Sequence, residues 1–178
     1  MSEFSLIISG FGGQGVLSAG RMAALAAMFE GKEVSWLPSY GPEMRGGTAN
    51  CSVILSDEPI GSPLLNRCDA LIALNKPSLE KFAGAVKPGG IIILDSSLID
   101  IRPGRADVNV IAIPASDLAA EAGNMTFAGI MLMGCLSRNT PCFSRVNFEE
   151  ALKEILPPKK HLMIPAEMEI FDKGAAYT

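Results

Sequence analysis

The stretch that decides the fold runs from residue 4 to residue 30 and reads FSLIISGFGGQGVLSAGRMAALAAMFE. Its first part, Phe4–Ser9, is a short apolar run rich in isoleucine and predicts a buried strand. The glycine-rich turn Gly10–Gly15 follows, and then a helix is predicted over Val16–Glu30. Many side chains of this helix are small, which suits a helix lying close to a sheet. Strand, glycine turn and helix in this order predict the opening of an α/β domain.

The rest of the chain continues the alternation of strands and helices. The further predicted strands are Lys32–Leu37, Ala49–Ser56, Ala70–Leu74, Gly90–Asp95 and Val108–Ile113. The further predicted helices are Ser78–Val86, Ala115–Ala122, Thr126–Asn139, Asn147–Leu156 and Ala166–Ala176. Asn147 followed by Glu150 indicates a capping box at a helix start. We therefore expect a three-layer α/β sandwich with a largely parallel or mixed sheet and a helical C-terminal tail, formed by a single domain of residues 1–178.

Composition excludes several classes of function. Only 19% of the 178 residues are charged and the net charge is −4, which speaks against a general nucleic-acid binder. The longest uninterrupted apolar stretch, Met22–Phe29, is far shorter than the roughly 20 residues of a membrane helix. With no signal-like start either, we expect a cytoplasmic chain with no membrane partner. The single histidine, His161, is expected at a surface or interface and leaves little scope for acid–base catalysis.

The four cysteines do not have the spacing of a metal site. Cys51, Cys68, Cys135 and Cys142 contain no C-x-x-C pair, so we expect no iron–sulfur or zinc site in this chain. We expect a cytosolic protein whose thiols are reduced and mostly buried.

The glycine turn matches the pattern G-x-G-x-x-G between a strand and a helix. Such a turn brings helix N–H groups close to an anion. A dinucleotide site also requires an acidic residue at the end of the second strand. That strand ends with Ser35-Trp36-Leu37-Pro38, which contains none. A standalone nucleotide-dependent dehydrogenase is therefore disfavoured. A turn without a ligand, contact with a phosphate, and contact with a partner's backbone remain alternatives.

A second loop, residues 39–47, is the most distinctive stretch of the chain and reads SYGPEMRGG. Arg45 offers a guanidinium fork for phosphate or carboxylate, and the adjoining glycines let a ligand approach the backbone. The simpler interpretation is that Arg45 and Glu43 form a surface ion pair beside a turn. Asp95, at the end of a predicted strand, is likewise either a functional group or a cap for the next turn.

Together the two loops resemble those of a known family. The glycine turn followed by SYGPEMRGGTANCSVILSDEPI at residues 39–60 resembles the gamma subunit of 2-oxoacid:ferredoxin oxidoreductases. The similarity continues through GNMTFAGIMLMG at residues 123–134 and FDKGAAY at residues 171–177, and so covers nearly the whole chain.

The resemblance implies a subunit that is inactive alone and carries no catalytic residue. The assembled enzyme would oxidatively decarboxylate a 2-oxoacid to an acyl-CoA and pass electrons to ferredoxin. Alpha and beta subunits, with or without a delta subunit, would hold thiamine diphosphate, Mg and the iron–sulfur clusters. This chain would contribute to the coenzyme A site and to assembly. The alternatives are a purely structural subunit of the same complex and the related small subunit of indolepyruvate ferredoxin oxidoreductase.

Coenzyme A presents anionic phosphates and a long pantetheine arm, which call for backbone N–H donors, a few cations and an apolar groove. The residues expected to provide cofactor contacts lie in both loops and before a later helix. They are Gly12, Gly13, Gln14, Gly15, Ser39, Tyr40, Arg45, Gly46, Gly47 and Asn124. Interface geometry is the alternative role for each of them.

Overall fold

A computed structural model describes residues 3–39 and 48–178. These residues form one six-stranded sheet with helices on both faces. The strands are β1 (Glu3–Phe11), β2 (Glu33–Ser39), β3 (Thr48–Ser56), β4 (Cys68–Ala73), β5 (Val86–Asp95) and β6 (Asn109–Ile113). The helices are α1 (Val16–Phe29), α2 (Lys76–Phe82), α3 (Ala115–Glu121), α4 (Phe127–Asn139), α5 (Arg145–Ile155) and α6 (Ile164–Ala175). Short 3-10 helices cover Ala83–Ala85 and Pro158–Met163.

The sheet is mixed, with the strand order β2-β3-β1-β4-β5-β6. Strand β1 pairs in parallel with β4 on one side and antiparallel with β3 on the other. Strand β3 is also antiparallel to β2, whereas the pairs β4–β5 and β5–β6 are parallel. Within this six-stranded sheet, β3 is therefore the strand that is antiparallel to the other five. The predicted three-layer α/β fold with a largely parallel or mixed sheet is confirmed.

Each face of the sheet has its own apolar cluster, because successive strand residues point to opposite faces. In β1, Leu6 and Ile8 pack with α1 and α3–α6 in the larger cluster. Ile7 packs on the other face, where Leu79 of α2 and Ile99 after β5 cover it. Seven consecutive residues of β1 are buried, as expected of a central strand covered on both faces.

Most element boundaries differ from the sequence-based prediction by one or two residues, and three of the differences are informative. Helix α5 begins at Arg145, because the Ser144 side chain accepts the hydrogen bond from the Asn147 N–H and acts as the cap. The predicted capping box at Asn147 was therefore wrong. Helix α2 is shorter than predicted and ends at Phe82, and β5 starts earlier, at Val86. Within the described residues, no helix combines the length and apolarity needed to cross a lipid bilayer.

Helices α4 and α6 touch through their backbones. A Cβ atom on Gly134 of α4 would overlap the carbonyl oxygen of Phe171, and one on Gly174 of α6 would overlap the carbonyl oxygen of Met131. The two glycines are thus placed reciprocally at one helix crossing. The C-terminal helix predicted from sequence is present, and it is packed into the larger core through this crossing.

Replacing Gly134 with alanine is expected to lower the free energy of unfolding by at least about 1–3 kcal/mol, since the methyl group meets rigid backbone. Gly129→Ala is the matched control, because it lies on the same helix and nothing is within 4 Å of its Cβ position. That control should be neutral or stabilising by up to about 1 kcal/mol through helix propensity. Urea unfolding of the purified chain measures both, and equal midpoints for the two variants would contradict the packing argument.

Candidate functional site

The glycine turn reverses the chain at the carboxyl end of the central strand. Gly13 and Gly15 have φ of 91° and 77°, a left-handed conformation that side chains with a Cβ rarely adopt. Gly15 is the N-cap of α1, and among residues 3–39 and 48–178 no side chain caps this helix. The first N–H groups of α1 are therefore left for a ligand, at the end of the helix where the dipole favours an anion.

Gln14 holds this turn against the next strand. Its side-chain carbonyl accepts a hydrogen bond from the Phe11 N–H at 2.6 Å, and its amide donates to the Leu74 carbonyl at 3.1 Å. Leu74 follows the end of β4, so the contact joins the carboxyl ends of β1 and β4. Crevices between such strand ends are the usual ligand sites of open α/β sheets. Gln14 therefore has a structural role that the sequence-based interpretation, which made it a ligand donor, did not include.

A second fixed turn precedes α4. The Asn124 side-chain carbonyl accepts hydrogen bonds from the Thr126 N–H at 3.1 Å and the Thr126 hydroxyl at 2.7 Å. Gly123, with φ of 74°, allows the chain to enter this turn from α3. Asn124 is thus held in this turn by its side-chain carbonyl, and it contributes to the wall of a cavity.

The two turns line one cavity of about 550 Å³ on the helical face of the larger core. This volume lies within the range of small-molecule sites, about 300–1,000 Å³. Its walls come from the glycine turn, α1, the starts of α3 and α4, the end of α5, and α6 with the 3-10 helix before it. The lining residues are Gly13, Gln14, Gly15, Ser18, Ala19, Met22, Leu74, Leu98, Ser116, Asn124, Met125, Thr126, Ala128, Gly129, Ile130, Leu152, Ile155, Leu156, Lys160, Met163 and Glu167. Apolar side chains predominate among them.

Two ionisable side chains belong to this lining, Lys160 and Glu167. Glu167 is only 5% exposed, and its Oε2 atom has no hydrogen-bond partner among the described residues. Burial raises the pKa of this carboxyl, while the charge of Lys160 acts in the opposite direction. Lys160 is exposed, so a cation stands outside the apolar space in which the carboxyl lies.

The structure brings together four of the residues expected to contact a cofactor, since Gly13, Gln14, Gly15 and Asn124 line this cavity. Gly12 is exposed in the same turn but does not contribute to the lining, and Ser39 is exposed at the end of β2. Four others lie outside the described residues. They are Tyr40, Arg45, Gly46 and Gly47.

The sequence-based interpretation missed Glu167 and Lys160. A signal for Glu167 is present, because it occupies the apolar stripe of α6, three residues after Ile164 and four before Phe171. A carboxyl in such a stripe is expected to face the interior of the protein. Lys160 follows two prolines in a segment that offers no periodic pattern.

Strand β3 changes the geometry that a dinucleotide site requires. It lies between β1 and β2, so the end of β2 is two strand spacings, roughly 10 Å, from the end of β1. In the dinucleotide fold the acidic residue that holds the ribose stands at the end of the strand beside β1. Here Leu37 and Ser39 are exposed at the distant end of β2. The absence of an acid there thus agrees with the topology.

Two other side chains singled out in the sequence, Asp95 and His161, make contacts that stabilise the fold. The buried Asp95 carboxylate accepts hydrogen bonds from the Ser97 N–H and from Ser116, which supports the capping role. His161 Nε2 lies 3.0 Å from the Lys153 carbonyl and 2.9 Å from the Leu156 carbonyl, at the end of α5. These contacts tie the chain after α5 back to that helix.

All four cysteines are buried and unpaired. Burial raises the pKa of Cys51, Cys68 and Cys142 to about 12 and that of Cys135 to about 11. Thiols of this kind stay protonated at neutral pH. Among the residues that the structure describes, no three His, Cys, Asp or Glu side chains are grouped so as to hold a metal ion.

A model of the pyruvate ferredoxin/flavodoxin oxidoreductase family matches residues 5–177. The chain belongs to this family. It is 39% identical over 176 residues to ketoisovalerate oxidoreductase subunit VorA of Methanothermobacter thermautotrophicus, covering 98% of this chain and 36% of VorA. It is 35% identical to 2-oxoglutarate synthase subunit KorC of Methanocaldococcus jannaschii, covering 84% of this chain and 82% of KorC. The chain thus spans little more than a third of one relative and most of the other.

Two solved structures of the family share the fold. The keto/oxoacid ferredoxin oxidoreductase gamma subunit from Geobacter sulfurreducens superposes with a TM-score of 0.87 at 29% identity, covering 100% of both chains. The 2-oxoglutarate:ferredoxin oxidoreductase from Magnetococcus marinus, with 2-oxoglutarate, coenzyme A and succinyl-CoA bound, gives a TM-score of 0.87 at 26% identity. The match covers 99% of this chain and 31% of the Magnetococcus chain.

The buried carboxyl of Glu167 predicts a pH-dependent gain in stability for Glu167→Gln. A carboxyl whose pKa is raised by folding contributes most to stability at low pH, and that contribution is lost as the pH rises through the folded-state pKa. The variant should therefore unfold at a Tm about 2–4 °C higher near pH 8, with a difference that vanishes near pH 4.

The exposed Glu169 on the same helix supplies the control, since Glu169→Gln should not raise the Tm in this way. Differential scanning calorimetry across the pH range measures both variants. A Tm gain for Glu167→Gln that is independent of pH would contradict the assignment of the effect to ionisation.

Proposed function

We propose that this chain is the gamma part of a thiamine-dependent 2-oxoacid:ferredoxin oxidoreductase. The complex would convert a 2-oxoacid and coenzyme A into an acyl-CoA and carbon dioxide, with two electrons passing to ferredoxin. Partner alpha and beta subunits, with or without a delta subunit, would hold thiamine diphosphate, Mg and the iron–sulfur clusters in the cytoplasm. The observation that carries this proposal is the family match over residues 5–177, together with full mutual coverage of a gamma-subunit structure.

The chemistry of the described residues supports this division of labour. Four buried, protonated thiols give no cluster-binding set, and His161 is engaged with two backbone carbonyls. In the proposed complex the chain would bind and orient a reactant for chemistry performed by partners.

The cavity at the glycine turn supports a share in the coenzyme A site. It combines apolar walls with a helix N-terminus for phosphate that none of the described side chains caps. The Magnetococcus relative of the same fold has coenzyme A bound. The 39–47 loop adds to this argument, because the residues that flank its undescribed part lie at the same end of the sheet. Thr48 pairs with Phe11 across the sheet, beside the glycine turn.

Exposed apolar side chains at the cavity support the presence of a partner surface there. Leu98, Met125 and Met163 line the cavity and are 48%, 60% and 39% exposed. Phe11, at the end of β1, is 42% exposed. Apolar groups grouped around a ligand cavity are expected to be covered when subunits assemble.

Affinity purification of the tagged chain from its native host tests the assembly. The chain is expected to bring with it partner subunits that contain thiamine diphosphate and iron–sulfur clusters. The eluate should reduce ferredoxin only when both a 2-oxoacid and coenzyme A are present. Assays with 2-oxoglutarate, 2-oxoisovalerate, pyruvate and indolepyruvate then identify the substrate. A chain that elutes alone, or activity independent of coenzyme A, would overturn the proposal.

Arg45→Ala tests whether the second loop contacts coenzyme A. Loss of a charge-assisted hydrogen bond to phosphate, about 1.5–3 kcal/mol, should raise the KM for coenzyme A roughly tenfold or more in the reconstituted complex. The exposed Arg138 at the far end of α4 provides the control, since Arg138→Ala removes the same charge away from the cavity. An unchanged KM with intact assembly would leave Arg45 with an interface role only.

A further inference from the structure

The segment between α5 and α6 exposes a large apolar side chain that the fold does not use. Leu162 is 92% exposed, more than any other large apolar side chain among the described residues. Its neighbour Met163 is 39% exposed, whereas Ile164, the first residue of α6, is buried in the core. A single exposed leucine is common on a protein surface, so the surroundings of Leu162 decide whether it has a function.

The backbone around Leu162 is held in place by hydrogen bonds along the segment. The Lys160 N–H donates to the Pro157 carbonyl at 2.8 Å, and the Ile164 N–H donates to the His161 carbonyl. The His161 ring also contacts two backbone carbonyls at the end of α5. An apolar side chain on an already ordered backbone requires little further ordering when it binds, which favours its use as an interface anchor.

Charge distinguishes this segment from the rest of the chain. Residues 156–163 contain two lysines and no carboxylate, although the whole chain has a net charge of −4. The charge of Lys160 acts on the buried carboxyl of Glu167. Lys159 is exposed and forms no ion pair with any residue that the structure describes. A partner that covers Leu162 is therefore expected to offer an apolar pocket with carboxylates at its rim.

The relatives indicate what kind of molecule covers the segment. The match takes up 36% of VorA but 82% of KorC, so the family contains this domain both with much further chain and with little. An interface that serves both arrangements depends on the surface of the domain itself. Met163 also lines the cavity, as do the exposed Leu98 and Met125, so the segment continues the apolar surface around that cavity.

We propose that residues 157–163 anchor this domain on a partner subunit of the oxidoreductase, with Leu162 in an apolar pocket and Lys159 opposite carboxylates at its rim. The inference rests on the proposed function, because the partner is a subunit of that complex. In protein–protein interfaces, well-packed central residues contribute most of the binding energy, whereas charges at the rim mainly set the rate of association. The two side chains therefore have separable effects.

The first test measures, by biolayer interferometry, binding of the full chain to the partner subunits that co-purify with it. Leu162→Asp should weaken binding at least about tenfold, mainly through faster dissociation. The Tm of the free chain should stay within about 2 °C of wild type, because the side chain is exposed. Leu64→Asp is the matched control. Leu64 is 73% exposed in the loop that leads to the amino end of β4, away from the cavity, and its replacement should leave the affinity unchanged.

The second test reverses the charge at the proposed rim. In Lys159→Glu the association rate should fall several-fold at low salt, and the difference should disappear at high salt because ions screen exposed charges. Lys81→Glu makes the same change on α2, which packs on the other face of the sheet, and should leave the rate within about twofold of wild type. An unchanged rate in Lys159→Glu would overturn the acidic rim.

Wild-type affinity in Leu162→Asp would overturn the anchor, as would an equal loss of affinity in Leu64→Asp. If Leu162→Asp abolishes self-association of the free chain and leaves subunit binding intact, the segment pairs with a second copy and the proposal is wrong. The wild-type chain separates these failures from failure of the proposed function. If its complex reduces ferredoxin in a coenzyme A-dependent reaction, only the anchor fails; if the wild-type chain binds no such subunits, the proposed function fails as well.

Discussion

The backbone contact between α4 and α6 determines the shape of the candidate site. Gly134 and Gly174 have no Cβ atoms, so each helix approaches the carbonyl oxygens of the other. This crossing fixes α6 against α4, and the first turn of α6 carries Glu167 while the start of α4 carries Thr126. Both residues line the cavity. A wider helix separation would move these walls apart and admit water to the carboxyl.

A second constraint acts at the opposite wall. Gln14 joins the ends of β1 and β4 through two hydrogen bonds, so the glycine turn is held while its backbone stays exposed to a ligand. The protein therefore combines rigid walls with two groups that folding alone leaves incompletely satisfied, the N–H groups of α1 and the carboxyl of Glu167. Groups of this kind reduce stability in the free chain and become favourable when a complementary ligand binds.

Much of this fold follows from the sequence, because strand, glycine turn and helix are local signals. The direction of β3 does not, since an alternating pattern of apolar residues is the same whichever way a strand runs. The start of α5 was misplaced for a different reason. Ser144 and Asn147 are both good N-cap residues, and the choice between them depends on tertiary contacts such as the hydrogen bond from the Ser144 N–H to Glu30.

The sequence predicted only those parts of the candidate site that lie in glycine-containing turns. Gly13, Gly15 and Asn124 belong to turns with strong local preferences, and they do line one cavity. Glu167 comes from the last helix, far away in sequence, so its place in the cavity lining depends on the α4–α6 crossing. Gln14 both lines the cavity and donates a hydrogen bond to the Leu74 carbonyl. This contact joins residues 60 positions apart, so the sequence did not reveal it.

The position of strand β3 in the sheet connects these separate features. In a dinucleotide-binding sheet, the strand next to β1 supplies an acid to the nucleoside, but here β3 occupies that position and runs in the opposite direction. Strand β3 approaches the glycine turn with its amino end, Thr48, instead of a carboxyl end. The side chains that close the cavity beside this turn then come largely from the helical layer. Glu167 of α6 is the acidic side chain that this layer places in the cavity.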